Sequence, residues 1–100
     1  MIEVRQTAQY VKWFAGLKDA RAQARVNVRI RRLSLGNMGD VKSVGSGVHE
    51  LRIDYGPGYR VYFTYRGVEI VLLLCGGDKS SQDADIRRAQ RLASELEESG

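Results

Sequence analysis

One cysteine, one histidine and one proline are all that 100 residues contain of those three types, and each scarcity removes a class of explanation. A disulfide framework needs paired cysteines and a structural zinc site needs about four sulfur or imidazole ligands, so Cys75 and His49 build neither. Cys75 stands at the end of the run IVLLLC, where a thiol is usually a small buried hydrophobe. That run, from Ile70 to Cys75, is the longest apolar stretch and far short of the roughly 20 residues a membrane span requires. The first residues, MIEVRQT, begin like a strand and lack the apolar core of a signal peptide. A cytoplasmic protein with no membrane partner is therefore expected. Internal repeats and low-complexity linkers are absent as well, and the length allows one domain around a single core.

What is present is basic charge, unevenly placed. Residues 1–35 carry eight Lys/Arg against two Asp/Glu, residues 36–80 five against five, and residues 81–100 three against five, for a net charge of +4. A basic first third favours a polyanionic or acidic partner.

Ile2 to Gln6 alternates as a short strand, and Thr7 is placed to cap a first helix whose Tyr10, Trp13, Phe14 and Leu17 form one apolar face. Asp19 is placed to cap a second helix that runs to about Leu35 and stops at Gly36-Asn37, with Ala22, Val26, Ile30 and Leu33 as its apolar stripe. Beside that stripe lie Arg21, Arg25, Arg29 and Arg32, with Arg31 turned away and no acid at helical spacing to neutralise them. Such a ladder is either a solvated face or a surface for phosphates. Gly36 to Gly47 reads as a glycine-rich loop without P-loop spacing. Val68 to Cys75 is a strand apolar on both faces, and a last helix follows from about Ser81 to Glu97 with Ile86, Ala89, Leu92 or Ala93, and Leu96 as a weak stripe.

The most informative segment runs from Gly36 to Phe63, GNMGDVKSVGSGVHELRIDYGPGYRVYF, and ends in a hairpin. With Gly56-Pro57-Gly58 as a three-residue hairpin loop, Tyr55 pairs with Tyr59, Asp54 lies opposite Arg60, Arg52 opposite Tyr62, and Glu50 opposite Thr64. Those last six share an exposed polar face. His49, Leu51, Ile53, Tyr55, Tyr59, Val61, Phe63 and Tyr65 then point to the helices, together with Ile70, Leu72 and Leu74, while Val71 and Leu73 floor the polar side. Arg52, Arg60 and Lys79 suit a phosphate, because guanidinium groups hold it bidentately and stabilise the charge of a five-coordinate transition state. Glu50 is the candidate general base, Lys79 or Tyr62 the candidate donor to a leaving oxygen, and His49 is structural by its alternation. The bland alternative is a set of cross-strand ion pairs on a wet face.

The order strand, two helices, three-stranded meander, helix, together with GNMGDVKSVGSGVHELRI, GPGYRVYF and the exit GGDKSSQDADI, resembles the toxins of the RelE/ParE superfamily, nearest to the HigB-like addiction-module killer proteins. The resemblance spans about Val4 to Leu92. It implies an α+β fold of order β-α-α-β-β-β-α, a small antiparallel-rich sheet with helices on one face and a polar site on the other. It also implies a toxin of a bacterial type II toxin-antitoxin system that cleaves mRNA on the ribosome with no metal and no cofactor. Its partner would be a cognate antitoxin, a small helix-turn-helix protein encoded alongside. By resemblance the phosphate-contacting arginine falls on Arg60, the basic residue of the preceding strand on Arg52, and the basic residue after the last strand on Lys79. Lys42, in the loop before the hairpin, joins Arg21, Arg25, Arg29 and Arg32 as a substrate-binding candidate. The Tyr or His that several such nucleases carry near the C-terminus has no counterpart in Ser81 to Arg91. A ParE-like gyrase inhibitor or an inactive antitoxin-binding module is the alternative reading.

Overall fold

A computed structural model describes residues 2–99. The chain runs β1 (Glu3–Gln6), α1 (Ala8–Ala15), α2 (Ala20–Ser34), β2 (Val41–Ser43), β3 (Val48–Ile53), β4 (Tyr59–Arg66), β5 (Ile70–Gly77), a 3-10 turn (Lys79–Ser81) and α3 (Gln82–Ser99). Both expected caps form. Thr7 accepts from the Tyr10 amide at 3.1 Å and Asp19 from the Arg21 amide at 2.9 Å, each satisfying a donor that the first helical turn leaves free.

The architecture is mixed α+β with a five-stranded sheet in the order β1-β5-β4-β3-β2. β1 runs parallel to β5, and the other neighbours are antiparallel. The additional strand, β2, arises inside the segment expected to be a loop. Val41 supplies its apolar anchor, and three residues are too few for alternation to announce a strand.

The sheet is covered on both faces, which corrects the expectation of helices on one side only. Leu51, Ile53, Val61, Phe63, Val71 and Leu73 form one core with Tyr10 of α1 and Val26 and Leu33 of α2. Val48, Tyr62, Leu72, Leu74 and Cys75 form a second core with Ala89 of α3. The expected orientation of β5 is thus reversed: Leu72 and Leu74 lie under α3, while Val71 and Leu73 join α1 and α2. A strand apolar on both sides gives no alternation to fix its register. A bulge intervenes too, since Phe63 pairs with Leu73 and Tyr62 with Cys75, which leaves Leu74 as the extra residue.

The hairpin register also differs. Ile53 pairs with Tyr59, Arg52 with Arg60, Leu51 with Val61, Glu50 with Tyr62 and Val48 with Thr64, so the loop spans residues 54–58. Asp54 is in that loop, exposed, and does not face Arg60. The cause is Tyr55, which leaves the sheet for α2: its hydroxyl donates to Asp19 Oδ2 at 2.9 Å and the Arg25 guanidinium sits 4.8 Å over its ring. Because the shift is by two residues, the side chains that stay in β3 and β4 keep their faces.

Candidate functional site

Two rows of side chains cross the α3 side of the sheet. One row is Lys42, Glu50, Tyr62 and Cys75 on β2, β3, β4 and β5; the next is Arg52, Arg60 and Gly77 on β3, β4 and β5. Antiparallel partners share a face, so five of the sequence candidates, Lys42, Glu50, Tyr62, Arg52 and Arg60, are neighbours by register alone.

Glu50 is the centre of the arrangement. It is 0% exposed, and four donors reach its carboxylate. Oε1 accepts from Arg52 Nε at 3.1 Å and lies 3.5 Å from an Arg60 terminal nitrogen. Oε2 accepts from the Tyr62 hydroxyl at 3.1 Å and from Gln82 Nε2 at 2.9 Å. The Arg60 side chain is only 12% exposed, so the polar face is not the open surface expected from alternation. Its Nε is buried with no hydrogen-bond partner among the described residues. Tyr62 is fully buried, and its phenol is pushed well above the ordinary tyrosine range, first by desolvation and then by the negative charge of Glu50 beside it.

Lys79 is exposed on the 3-10 turn. Its amide donates to the Pro57 carbonyl at 3.3 Å, which ties the exit of β5 to the hairpin loop that leads into Arg60. The neighbouring Asp78 accepts from the Ser80 amide at 2.9 Å and from its hydroxyl at 2.5 Å, and these bonds hold the carboxyl below the usual range. A shallow depression of about 350 Å³ opens here, between Lys79, Gln82 and Arg87.

Two polar residues of α3 were not anticipated. Asp85 is 4% exposed, accepts from the Ser81 hydroxyl at 2.5 Å, and faces Arg88 at 3.5 Å. Gln82 is the donor to Glu50 noted above. The signal for both was available in the spacing: counted backwards, the stripe Leu96, Leu92, Ala89 continues to Asp85 and Gln82, polar side chains at positions where a helix buries its face. Burial and the Asp85 charge push the Cys75 thiol up to about 11, so it is an inert core residue at neutral pH.

The arginine ladder divides. Arg29 turns inward and donates to the carbonyls of Arg52, Met38 and Asp40, the last two at 3.3 and 3.4 Å. Gly39, at φ +66°, lies so close that a Cβ would meet the guanidinium. Arg25 is engaged with Tyr55, whereas Arg21, Arg31 and Arg32 are exposed on α2. His49 stacks on Phe63 with centroids 5.3 Å apart and meets Tyr65 edge-on at 5.2 Å, so it sits apart from the arginine pair in an aromatic cluster.

Residues 12–95 match the family described as Phage derived protein Gp49-like (DUF891). The chain belongs to that family. Gp49-like proteins are toxin-antitoxin-associated and of the RelE/HigB type, and an antitoxin partner goes with that membership. A Haemophilus influenzae protein described as "Uncharacterized protein" is 53% identical over 95 residues, covering 95% of this chain and 96% of its own length. Among the described residues no helix is long and apolar enough to cross a membrane.

Proposed function

We propose that this Gp49-like protein is the toxin of a type II toxin-antitoxin pair and acts in the cytoplasm as a metal-independent endoribonuclease on ribosome-bound mRNA. The observation that carries the reading is the Arg52–Arg60 pair, opposed across β3 and β4 and oriented by one buried carboxylate. Two guanidinium groups fixed side by side match the oxygens of a phosphodiester and strengthen their hold as charge develops on them. In the reaction the ribose 2′-oxygen bonds to phosphorus while the bond to the 5′-oxygen breaks. The 2′-hydroxyl proton leaves to solvent water and a proton reaches the departing oxygen, giving a 2′,3′-cyclic phosphate and a 5′-hydroxyl. Arg60 and Arg52 take the transferring phosphate, and Lys79, exposed and tethered beside the hairpin loop, donates to the leaving oxygen. Glu50 and Tyr62, whose polar atoms already serve one another and the arginines, act by holding the pair in place. Exposed Lys42 on the site's side of the sheet, and exposed Arg21, Arg25 and Arg32 on α2 across the opposite side, are the further contacts for RNA backbone.

Induced expression followed by primer extension on translated messages tests the proposal. New 5′ ends are expected with the wild type. Arg60→Ala should lose them by about a hundredfold to a thousandfold, the usual effect of removing one transition-state donor, while remaining soluble and helical by circular dichroism. Intact mRNA accompanied by double-strand breaks in DNA would move the protein to the gyrase-poisoning class.

A further inference from the structure

We infer that Gln82, the first residue of α3, is a positioning residue for the proposed phosphate site, acting through Glu50. The inference rests on the nuclease reading for its rate effect and on geometry for its structural effect. Donors to Glu50 come from three elements. Arg52 on β3 and Arg60 on β4 share Oε1, Tyr62 on β4 takes Oε2, and Gln82 reaches Oε2 from outside the sheet at 2.9 Å. The sheet holds Oε2 through the Tyr62 hydroxyl alone, and sp³–sp² torsions of this kind have broad minima. A fourth donor, arriving from a different layer, fixes the plane and with it the direction in which Oε1 faces the arginines. Gln82 directly follows the 3-10 turn that carries Lys79, so one short segment sets both the exposed amine and the buried carboxylate.

The chemistry of the side chain fits the task. A carboxamide donates without bringing charge, so it satisfies Glu50 and leaves the positive potential at the site to Arg52, Arg60 and Lys79. A glutamate there would place a second carboxylate against the first. Methionine has nearly the same length and helix propensity and no donor, which makes it the informative replacement.

The test compares wild type, Gln82→Met and Gln82→Lys, the last restoring a donor of similar reach. Single-turnover cleavage of ribosome-bound mRNA should fall about tenfold in Gln82→Met with little change in the ribosome concentration giving half-maximal rate, and Gln82→Lys should recover part of the loss. In ¹⁵N spectra of the whole protein, the Arg52 Nε–H signal should lose its protection from exchange in Gln82→Met and regain it in Gln82→Lys. A Gln82→Met protein that cuts at the wild-type rate, or that keeps Arg52 Nε–H protected, overturns the inference. Absence of cutting by the wild type would sink the nuclease reading instead, and the spectra would still decide whether Gln82 holds Glu50.

Discussion

Gly77 and Asp85 compete for one space: a Cβ on Gly77 would overlap Asp85 Oδ2, so the buried carboxylate of α3 lies directly on the backbone of β5. The absence of a side chain at Gly77 therefore sets how closely the first turn of α3 approaches Arg60, its register neighbour. Gly77→Ala should destabilise the protein by about 1–3 kcal/mol, the usual cost of overpacking. Urea unfolding measures it. Gly16→Ala is the control, at φ −78° with ordinary van der Waals room for a methyl group, and should be nearly neutral.

Removing the carboxylate at Glu50 leaves Arg60, whose side chain is only 12% exposed, without its counter-charge. Glu50→Ala is expected to cost about 3–5 kcal/mol, as for other broken buried ion pairs. Arg60→Ala should cost less, because Glu50 keeps Arg52, Tyr62 and Gln82 as donors. Denaturant midpoints of the two variants give the order, and the reverse order would show that the carboxylate is not the organising group.

His49 provides a pH dependence with a definite sign. Burial among Phe63 and Tyr65 lowers its pKa below the ordinary 6.5, so in the folded protein it binds a proton less readily than in the unfolded chain. Stability from this group is present above pH 6.5 and is lost as pH falls from there through the folded pKa. Relative to a His49→Gln variant, the wild type should lose more of its urea midpoint between pH 7.5 and 5.5. Parallel curves would remove His49 as the cause.

The ladder on α2 yields a contrast within one helix. Arg21 and Arg32 are exposed, and changing both to Glu should weaken ribosome binding and lower the salt slope by about one for each phosphate no longer neutralised, with little change in stability. Arg29 should behave oppositely. Arg29→Ala deprives three carbonyls of a charged donor and should destabilise the fold, on the order of 1.5–3 kcal/mol for such bonds. If antitoxin neutralisation fails in the Arg21, Arg32 double variant while ribosome binding persists, the ladder is an antitoxin surface.

Much of this molecule was legible in its sequence where local chemistry decides the outcome. Thr7 and Asp19 announce their helices because an N-cap acts within three residues, and the α2 stripe of Ala22, Val26, Ile30 and Leu33 is periodic enough to orient the helix. The polar row of Glu50, Arg52, Arg60 and Tyr62 survived an error in register because two residues is one full strand period. What was missed depends on long-range contacts. Tyr55 pairs with α2 instead of Tyr59, Leu74 bulges out of a strand with no polar face, and α3 settles on the side assigned to open solvent. Arg29 looked identical to its ladder neighbours until Met38, Asp40 and Arg52 offered their carbonyls.

β1 completes its hydrogen bonding with β5, Glu3 against Ile70 and Gln6 against Leu73, across everything made between them. During biosynthesis that strand waits, unpaired, until β5, the last strand in the chain, has been translated, and pairings of such long range are slow to close. Gln82 lies later still. A growing polypeptide therefore carries Arg52 and Arg60 before it carries the residue that, on the proposed reading, orders them.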